Sequence, residues 1–152
     1  MADPRSFSGH DDVGKVSAMR FGANWFFWVA ILAAVSSLLV HFFNFYDHFV
    51  GLGVSHYFEL NAAAGTDSQR ITALLISLAA TGLLAVFGYF ARHGNDIAFI
   101  LGMFLYFIDG VVLLGYREFF AFAFHLFAIF FLCKGLLASR RRYDPSVDAT
   151  GA

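Results

Sequence analysis

Residues 97–115 read IAFILGMFLYFIDGVVLLG, an apolar run interrupted by a single ionisable residue, Asp109. A helix of roughly 20 mostly apolar residues is long enough to cross the hydrocarbon core of a bilayer. A carboxylate in such a run is costly in lipid and usually faces other helices or a water-filled cavity. The run therefore predicts a membrane-spanning helix whose Asp109 meets other polar groups inside the protein.

Three further runs have the same character, and they cover residues of about 24–45, 71–90 and 119–138. The first contains His41 and the last contains His125. Apolar residues make up 59% of the 152 residues, which excludes an ordinary soluble domain. The connections near 92–96 and 116–118 are short, and short connections make consecutive helices antiparallel. The sequence thus predicts an all-α, antiparallel four-helix transmembrane bundle.

Basic residues concentrate on one side of this predicted bundle. Those that precede the first run or follow the second and fourth runs are Lys15, Arg20, Arg92, Arg140, Arg141 and Arg142. The opposite side carries only Arg70 and Arg117. Because an excess of Lys and Arg marks the cytoplasmic side, we expect both termini to be cytoplasmic.

Polar segments flank the spans and separate the first two. Residues 1–23 are expected to form a cytoplasmic tail that leads into an uncleaved first span, because they are polar and carry no small-residue cleavage site. Residues 139–152 are expected to form a second, basic cytoplasmic tail. The external segment 46–70 has apolar residues at helical spacing, namely Val54, Tyr57, Phe58 and Leu60. It is predicted to lie on the outer surface as a short interfacial helix. A re-entrant segment is less favoured, since its backbone would need partners inside the protein.

Small and polar residues share one face of each span, at spacings of three and four residues. In chain order this face contains Ala30, Ala34, Ser37, His41 and Asn44; Ala73, Ser77, Thr81, Ala85 and Gly88; Ala98, Gly102, Tyr106 and Asp109; and Ala121, His125 and Ala128. Helices in lipid associate through such small residues and through interhelical hydrogen bonds. At 1.5 Å per residue, Asp109 and His125 both lie roughly 10 Å below the outer ends of their spans. The pattern predicts a buried polar or ligand-binding layer in the outer half of the bundle, formed by His41, Asn44, Ser77, Tyr106, Asp109 and His125.

Asp109 and His125 are expected to be in contact, because they lie at matching depth on consecutive helices. One interpretation is a structural pair in which carboxylate and imidazole satisfy each other, since buried polar groups need partners. The other is a pair that handles protons or binds a ligand, because a neighbouring carboxylate and burial act in opposite directions on a histidine. The sequence leaves both open.

Adding His41 to the pair gives two imidazoles and a carboxylate, a set able to bind a divalent metal such as iron or zinc. His41 and His125 are alternatively placed to ligate a haem from two helices. A quinone or lipid headgroup contacted by His41, Asn44 and Tyr106 is a further alternative. These residues come from different helices and follow no local ligand motif, so the sequence does not choose among the three.

The charges near the cytoplasmic end point to lipid. Lys134 is close enough to the end of the fourth run to reach the headgroups, and with Arg140, Arg141 and Arg142 it is expected to contact anionic lipid.

A nucleic-acid partner is not favoured, because the net charge is only −1 and such domains show a basic face. No phosphate loop, nucleophile elbow or dinucleotide fingerprint is present in the sequence.

Several phrases are shared with a known group of proteins. They are WFFWVAILAAVSS, GLGVSH, GYFARHGNDIAFILGMFLYFIDG and FHLFAIFFLCKG, within residues 24–136. Together they resemble a group of small bacterial four-helix membrane proteins. The resemblance implies four spans and a location in the bacterial inner membrane. It implies no activity, cofactor or partner, and it carries over no functional residue.

The leading hypothesis is a non-enzymatic integral membrane protein, an accessory or small-ligand-binding protein whose polar layer is structural or holds a small ligand. The alternative is a redox or metal-binding protein that uses His41 and His125 as ligands for haem, iron or zinc, with Asp109 as a ligand or supporting group. Ion or proton transport by one chain is disfavoured, because the inner half of the bundle offers little polarity beyond Thr81. The expected partner is the lipid bilayer, and a homo-oligomer or larger membrane complex stays open.

Overall fold

The computed structural model describes the backbone of residues 5–43 and 52–143 and the side chains of residues 13–43 and 52–141. Within these ranges the protein is all-helical, without strands. The helices are α1 (Arg5–Phe43), α2 (Gly53–Ala62), α3 (Asp67–Arg92), α4 (Asp96–Gly115) and α5 (Phe119–Tyr143). Four of them, α1, α3, α4 and α5, are long and apolar enough to cross a membrane. These four helices indicate a membrane protein.

Helix α1 begins far ahead of the predicted first span. It starts at Arg5, so most of the predicted tail over residues 1–23 continues the helix of the span. Met19, Ala23 and Phe26 lie on one face at helical spacing and are buried. No proline interrupts residues 5–43, and the buried face explains why the helix persists through polar sequence.

The contacts between the helices are rich in small residues, and many large apolar side chains lie on the surface. Alanines and serines at the helix contacts are almost fully buried, among them Ala23, Ala33, Ser77, Ala91, Ala128 and Ser139. Large side chains point outward, among them Trp28, Phe42, Ile97, Phe119 and Phe120. Lipid tails are as apolar as these side chains, so close packing of small residues holds the helices together. The predicted face of small residues is therefore the packed one.

Phe26 and Phe99 are among the large side chains that are buried, and glycines make room for Phe26. Phe26 and Phe99 are buried, with their ring centroids 6.1 Å apart. A Cβ atom on Gly102 would lie less than 3.0 Å from the Phe26 ring, and one on Gly88 would be equally close to the Phe26 Cβ. The two glycines thus form the recess into which α1 inserts Phe26.

Helices α4 and α5 contact each other along their lengths. The Ser139 hydroxyl donates a hydrogen bond to Asp96 at 2.6 Å, and Asp109 contacts His125. Tight turns flank α4: Gly94 has φ of 82° before it, and Arg117 has φ of 64° after it. Glycine adopts this left-handed conformation readily, whereas an arginine there is held by its surroundings.

Helix α2 packs with its polar face inward and its apolar face outward. Ser55, His56 and Glu59 are buried, whereas Val54 and Tyr57 are 37% and 47% exposed. A surface helix beside water has the opposite arrangement. The prediction of a short helix in this segment is confirmed, but its polar residues face the protein and its apolar residues face the surroundings.

The first turn of α2 reaches into the space between α3 and α4. A Cβ atom on Gly53 would lie less than 3.0 Å from the backbone oxygen of Asp109. Asp109 is six residues before the end of α4 at Gly115, which corresponds to about 9 Å along the helix axis. The first turn of α2 therefore lies beside the last two turns of α4 and not beyond the end of that helix. Asp109 supplies the acceptors for its first two backbone N–H groups.

Helix α3 begins with a capping box, which gives a first testable prediction. The Thr66 hydroxyl accepts a hydrogen bond from the Gln69 N–H, and the Gln69 side chain accepts one from the Thr66 N–H. We expect Thr66→Ala to lower the free energy of unfolding by about 1 kcal/mol, because it leaves an N–H at the helix start without its acceptor. Reversible denaturation in mixed micelles measures the effect. Ser68→Ala, an exposed position in the same turn, is the control and should change stability by less than about 0.5 kcal/mol.

Candidate functional site

Asp109 is the point at which α2, α4 and α5 meet. Its Oδ2 accepts a hydrogen bond from the Gly53 N–H at 2.8 Å, and its Oδ1 accepts one from the Val54 N–H at 2.9 Å. Its Oδ2 also lies 3.1 Å from His125 Nε2. The first N–H groups of a helix have no acceptor within the helix and carry a partial positive charge. Asp109 thus acts as the N-terminal acceptor of α2, supplied from another helix.

His125 is held by both of its ring nitrogens. Nδ1 lies 2.8 Å from the Ala121 carbonyl oxygen, which only accepts, so Nδ1 carries a proton and donates it. Nε2 faces Asp109, and this contact needs one further proton between imidazole and carboxylate. The predicted contact between Asp109 and His125 is therefore present, with a proton held inside it. Neither nitrogen of His125 presents a free lone pair to a haem iron or another metal ion.

Tyr106 completes this cluster from α4. Its ring stacks on the His125 ring, with centroids 4.1 Å apart and planes inclined by 16°. The His125 side chain fits against Gly110, where an added Cβ would come within 3.1 Å of it. The Tyr106 hydroxyl is buried and has no hydrogen-bond partner among the residues that the structure describes. Together, Tyr106, Asp109 and His125 form a packed cluster that we call the anchor cluster.

A second set of polar side chains lies between α1, α2 and α3, around a small cavity. A cavity of about 20 Å³ is lined there by Ser37, Val40, His41, Glu59, Ala62, Arg70, Ala73 and Leu74. The buried Ser77 hydroxyl donates to the Glu59 carboxylate at 3.0 Å. A volume of this size holds about one water-sized group. We call this space the outer cavity.

The two opposite charges of the outer cavity do not pair with each other. Among residues 13–43 and 52–141, no ion pair within 4.0 Å joins Glu59 to Arg70. Arg70 Nη2 donates to the Ala63 carbonyl at 2.7 Å. Its Nε is buried and has no hydrogen-bond partner within that same part of the chain. A carboxylate and a guanidinium therefore line one small space, and the guanidinium keeps donor capacity.

The residues of the predicted polar layer fall into two places. Tyr106, Asp109 and His125 meet in the anchor cluster, whereas His41 lines the outer cavity and Ser77 contacts Glu59 beside it. Asn44 lies outside the described residues. Within those residues, no group of three His, Cys, Asp or Glu side chains is close enough to hold a metal ion. The structure thus does not bring His41 into one ligand set with Asp109 and His125.

The residues predicted to contact a quinone or a lipid headgroup also lie in two different spaces. Tyr106 and Asp109 line an apolar cleft of about 220 Å³ between α3 and α4. His41 lines the outer cavity instead. His41 and Tyr106 thus line different spaces, and their contact with one ligand stays a prediction.

Glu59 and Arg70 are not among the site residues predicted from the sequence. Both belong to the segment 46–70, which is predicted to be external. A signal was present, because Ser55, Glu59 and Ala62 recur at helical spacing and oppose the apolar face of the same segment. In a helix surrounded by lipid, the polar face of such a pattern turns toward the protein and not toward water.

The basic residues near the end of α5 are at the surface. Lys134 is exposed and lies 4.9 Å from the centre of the Phe130 ring. Arg140 Nε is 3.8 Å from the Asp96 carboxylate, and Arg141 is exposed. The side chain of Arg142 lies outside the described residues. Contact of these residues with anionic lipid stays a prediction.

Comparison of the chain with protein-family models, with curated proteins and with solved structures gives no match.

Proposed function

We propose that the protein is an integral protein of the bacterial inner membrane, with four antiparallel spans and both termini in the cytoplasm. The order of contacts between α4 and α5 supports the antiparallel arrangement: Asp96 meets Ser139, and Asp109 meets His125. The excess of lysine and arginine at the other connections supports the orientation. Residues 52–62 then lie in the outer half of the membrane.

Within this frame, the protein is a non-enzymatic binding protein that holds one polar group of a small ligand in the outer cavity. The observation that carries the proposal is that Arg70 lines this space with a buried Nε that has no hydrogen-bond partner among the described residues. Ionisable groups within a membrane protein are costly and usually mark a site. A cavity of about 20 Å³ admits one functional group of a ligand and not a whole substrate, which favours binding over turnover.

The anchor cluster has a different role in this proposal. Asp109 is occupied by two N–H groups of α2 and by His125, and His125 uses both nitrogens. The carboxylate of Asp109 and the imidazole of His125 are thus both hydrogen-bonded, and hydrogen-bonded buried groups rigidify a core. The cluster fixes the start of α2, and α2 supplies Glu59 to the outer cavity. The cluster thus supports the site without contacting the ligand.

The proposal predicts that a ligand copurifies and depends on Arg70. We expect mass spectrometry of the purified protein to find a bound small molecule or lipid, and Arg70→Gln to weaken its retention by at least about tenfold. A hydrogen bond to a charged group contributes about 1.5–3 kcal/mol, and 1.4 kcal/mol corresponds to a factor of ten. The matched control is Arg117→Gln, the same change at an exposed residue of the other external connection, which should leave retention unchanged.

Three results would contradict the proposal. One is equal retention of every bound molecule by the wild type and Arg70→Gln. Another is turnover of a quinone or a redox dye by the purified protein. The third is a Soret band, or stoichiometric iron, copper or zinc that is lost in His125→Ala, which would establish the redox or metal-binding alternative instead.

A further inference from the structure

We infer that one water molecule is bound inside the protein, between α2, α3 and α4, where it bridges the hydroxyl groups of Ser55, Thr81 and Tyr106. The inference goes beyond the ligand proposed for the outer cavity and does not depend on it, because it concerns other side chains. The water is a hydrogen-bonding partner that joins α2 to the two helices between which it begins.

The three hydroxyl groups are buried and unpartnered. Ser55 and Tyr106 are each 2% exposed, and Thr81 is 7% exposed. The hydroxyl oxygen of each has no hydrogen-bond partner among the residues that the structure describes. A buried hydroxyl without a partner costs free energy, and most such groups in proteins bond to other protein groups or to ordered water. A partner from outside the described part of the chain is therefore expected for each of them.

The pairing of α2 with α3 places Ser55 opposite Thr81. A short turn joins the two helices, so they run antiparallel. Glu59 of α2 accepts a hydrogen bond from Ser77 of α3, which fixes their register. Four residues further into the protein, about 6 Å along each helix, the same two faces carry Ser55 and Thr81. Their hydroxyls therefore face each other across the α2–α3 contact without a direct hydrogen bond between them.

Tyr106 reaches the same region from α4. Val54 and Ala80, which precede Ser55 and Thr81 in the chain, line the cleft between α3 and α4 together with Tyr106. The Tyr106 ring is held by stacking within the anchor cluster. Its hydroxyl is at the end of the ring farthest from the α4 backbone and can extend toward the α2–α3 contact. A third hydroxyl, from a third helix, therefore belongs to the same region.

A water molecule matches these three groups in number and in chemistry. A buried water typically makes about three hydrogen bonds to polar groups that otherwise have no partner. Each hydroxyl can donate or accept, so a water with two donors and two acceptor positions can join all three. The hydroxyls carry no charge that would offset the burial of an ion. Polar groups too far apart for a direct bond are commonly bridged by water.

A high-resolution crystal structure of the full chain tests the site directly. We expect one water oxygen at hydrogen-bond distance, about 2.5–3.0 Å, from all three hydroxyl oxygens. The absence of a water shared by the three would overturn the inference, and so would direct bonds from the hydroxyls to one another or to a side chain of residues 44–51. A bound atom at about 2.3–2.6 Å from the oxygens, a distance typical of calcium, would replace the water with a cation.

Two variants test the site by the sign of their effect in reversible mixed-micelle denaturation. With a bound water, Tyr106→Phe and Thr81→Val each remove a hydrogen bond, so the ratio of folded to unfolded protein should fall about threefold or more. Without it, each removes a buried hydroxyl that has no partner, and the ratio should rise. Tyr89→Phe is the control, because Tyr89 is 57% exposed, and its ratio should stay within about twofold of the wild type. An unchanged or raised ratio in either test variant would overturn the inference.

The double variant Ser55→Ala with Thr81→Val tests whether the two hydroxyls share one partner. Once one hydroxyl is removed, the water is held by fewer bonds, so removal of the second hydroxyl costs less. The double variant should therefore lower the ratio of folded to unfolded protein by at least about twofold less than the product of the two single effects. A simple product would mean that Ser55 and Thr81 do not share a water, and it would overturn the inference.

Discussion

Asp109→Asn is expected to lower the free energy of unfolding by about 3 kcal/mol, because it removes one partner of a buried pair. The asparagine has the shape of the aspartate but only one acceptor oxygen. One of the two N–H groups of Gly53 and Val54 then faces an amide donor, and His125 loses its charged partner. A buried donor that loses its acceptor costs the full penalty of its desolvation.

The same change should loosen α2 in particular. The first turn of α2 is bound to α4 through the two N–H groups that Asp109 accepts. Amide hydrogen exchange along residues 53–62 should therefore accelerate more than exchange in α3, which keeps its capping box. Ligand retention by the outer cavity should also fall, since α2 carries Glu59. This loss would be indirect, because Asp109 does not line the cavity.

The matched control is Asp96→Asn, at the other end of the same helix. Asp96 is half-buried and accepts a hydrogen bond from Ser139 at 2.6 Å. Asparagine can still accept this bond, so the cost should be about 1 kcal/mol or less. Mixed-micelle denaturation of both variants gives the comparison. Equal stability of Asp109→Asn and the wild type, or exchange in α2 that does not change, would refute the role of Asp109 as the anchor of α2.

The spans and one contact could be predicted because each depends on a single rule. Four apolar runs of sufficient length gave the four long helices, and matching depth on consecutive helices gave the contact of Asp109 with His125. Both inferences need only the rise of a helix and the cost of polarity in lipid. To make these two predictions, it is enough to assume that consecutive helices contact each other.

The two places of the polar layer could not be predicted from depth alone. The position of a residue along its helix places His41, Ser77 and Asp109 in the same half of the protein. It does not say which neighbouring helices each side chain faces. Helix α2 separates the two groups of polar residues, because its start binds Asp109 on α4 and its Glu59 binds Ser77 on α3. The predicted external segment was defined by its apolar residues, so its inward-facing polar side, which includes Glu59, was not predicted.

The second large effect is expected where α1 crosses α5. Gly22 and Gly135 are in direct backbone contact: a Cβ atom on Gly22 would lie less than 3.0 Å from the Cα and N of Gly135. Side chains can move away from an added methyl group, but these atoms are backbone. Gly22→Ala therefore forces the two helices apart along their whole crossing. Overpacking of this kind costs about 1–3 kcal/mol, and we expect the upper end of that range.

Gly82→Ala is the matched control for the crossing, because a Cβ atom there would meet nothing within 4 Å. It tests the helix preference of alanine over glycine without a packing change, so stability should stay the same or rise by up to about 1 kcal/mol. Mixed-micelle denaturation compares the two variants. If Gly22→Ala behaves like Gly82→Ala, the close crossing of α1 and α5 is wrong.

The double variant Gly22→Ala with Gly135→Ala separates backbone contact from a general loss of packing. Each added methyl group meets the opposite backbone, so the separation that relieves one of them also makes room for the other. The cost of the double variant should therefore fall short of the sum of the single costs by more than about 0.5 kcal/mol, the usual limit of additivity for distant sites. Independent sites would give a simple sum. Additive costs would mean that the two glycines do not share one contact, even if each variant alone is unstable.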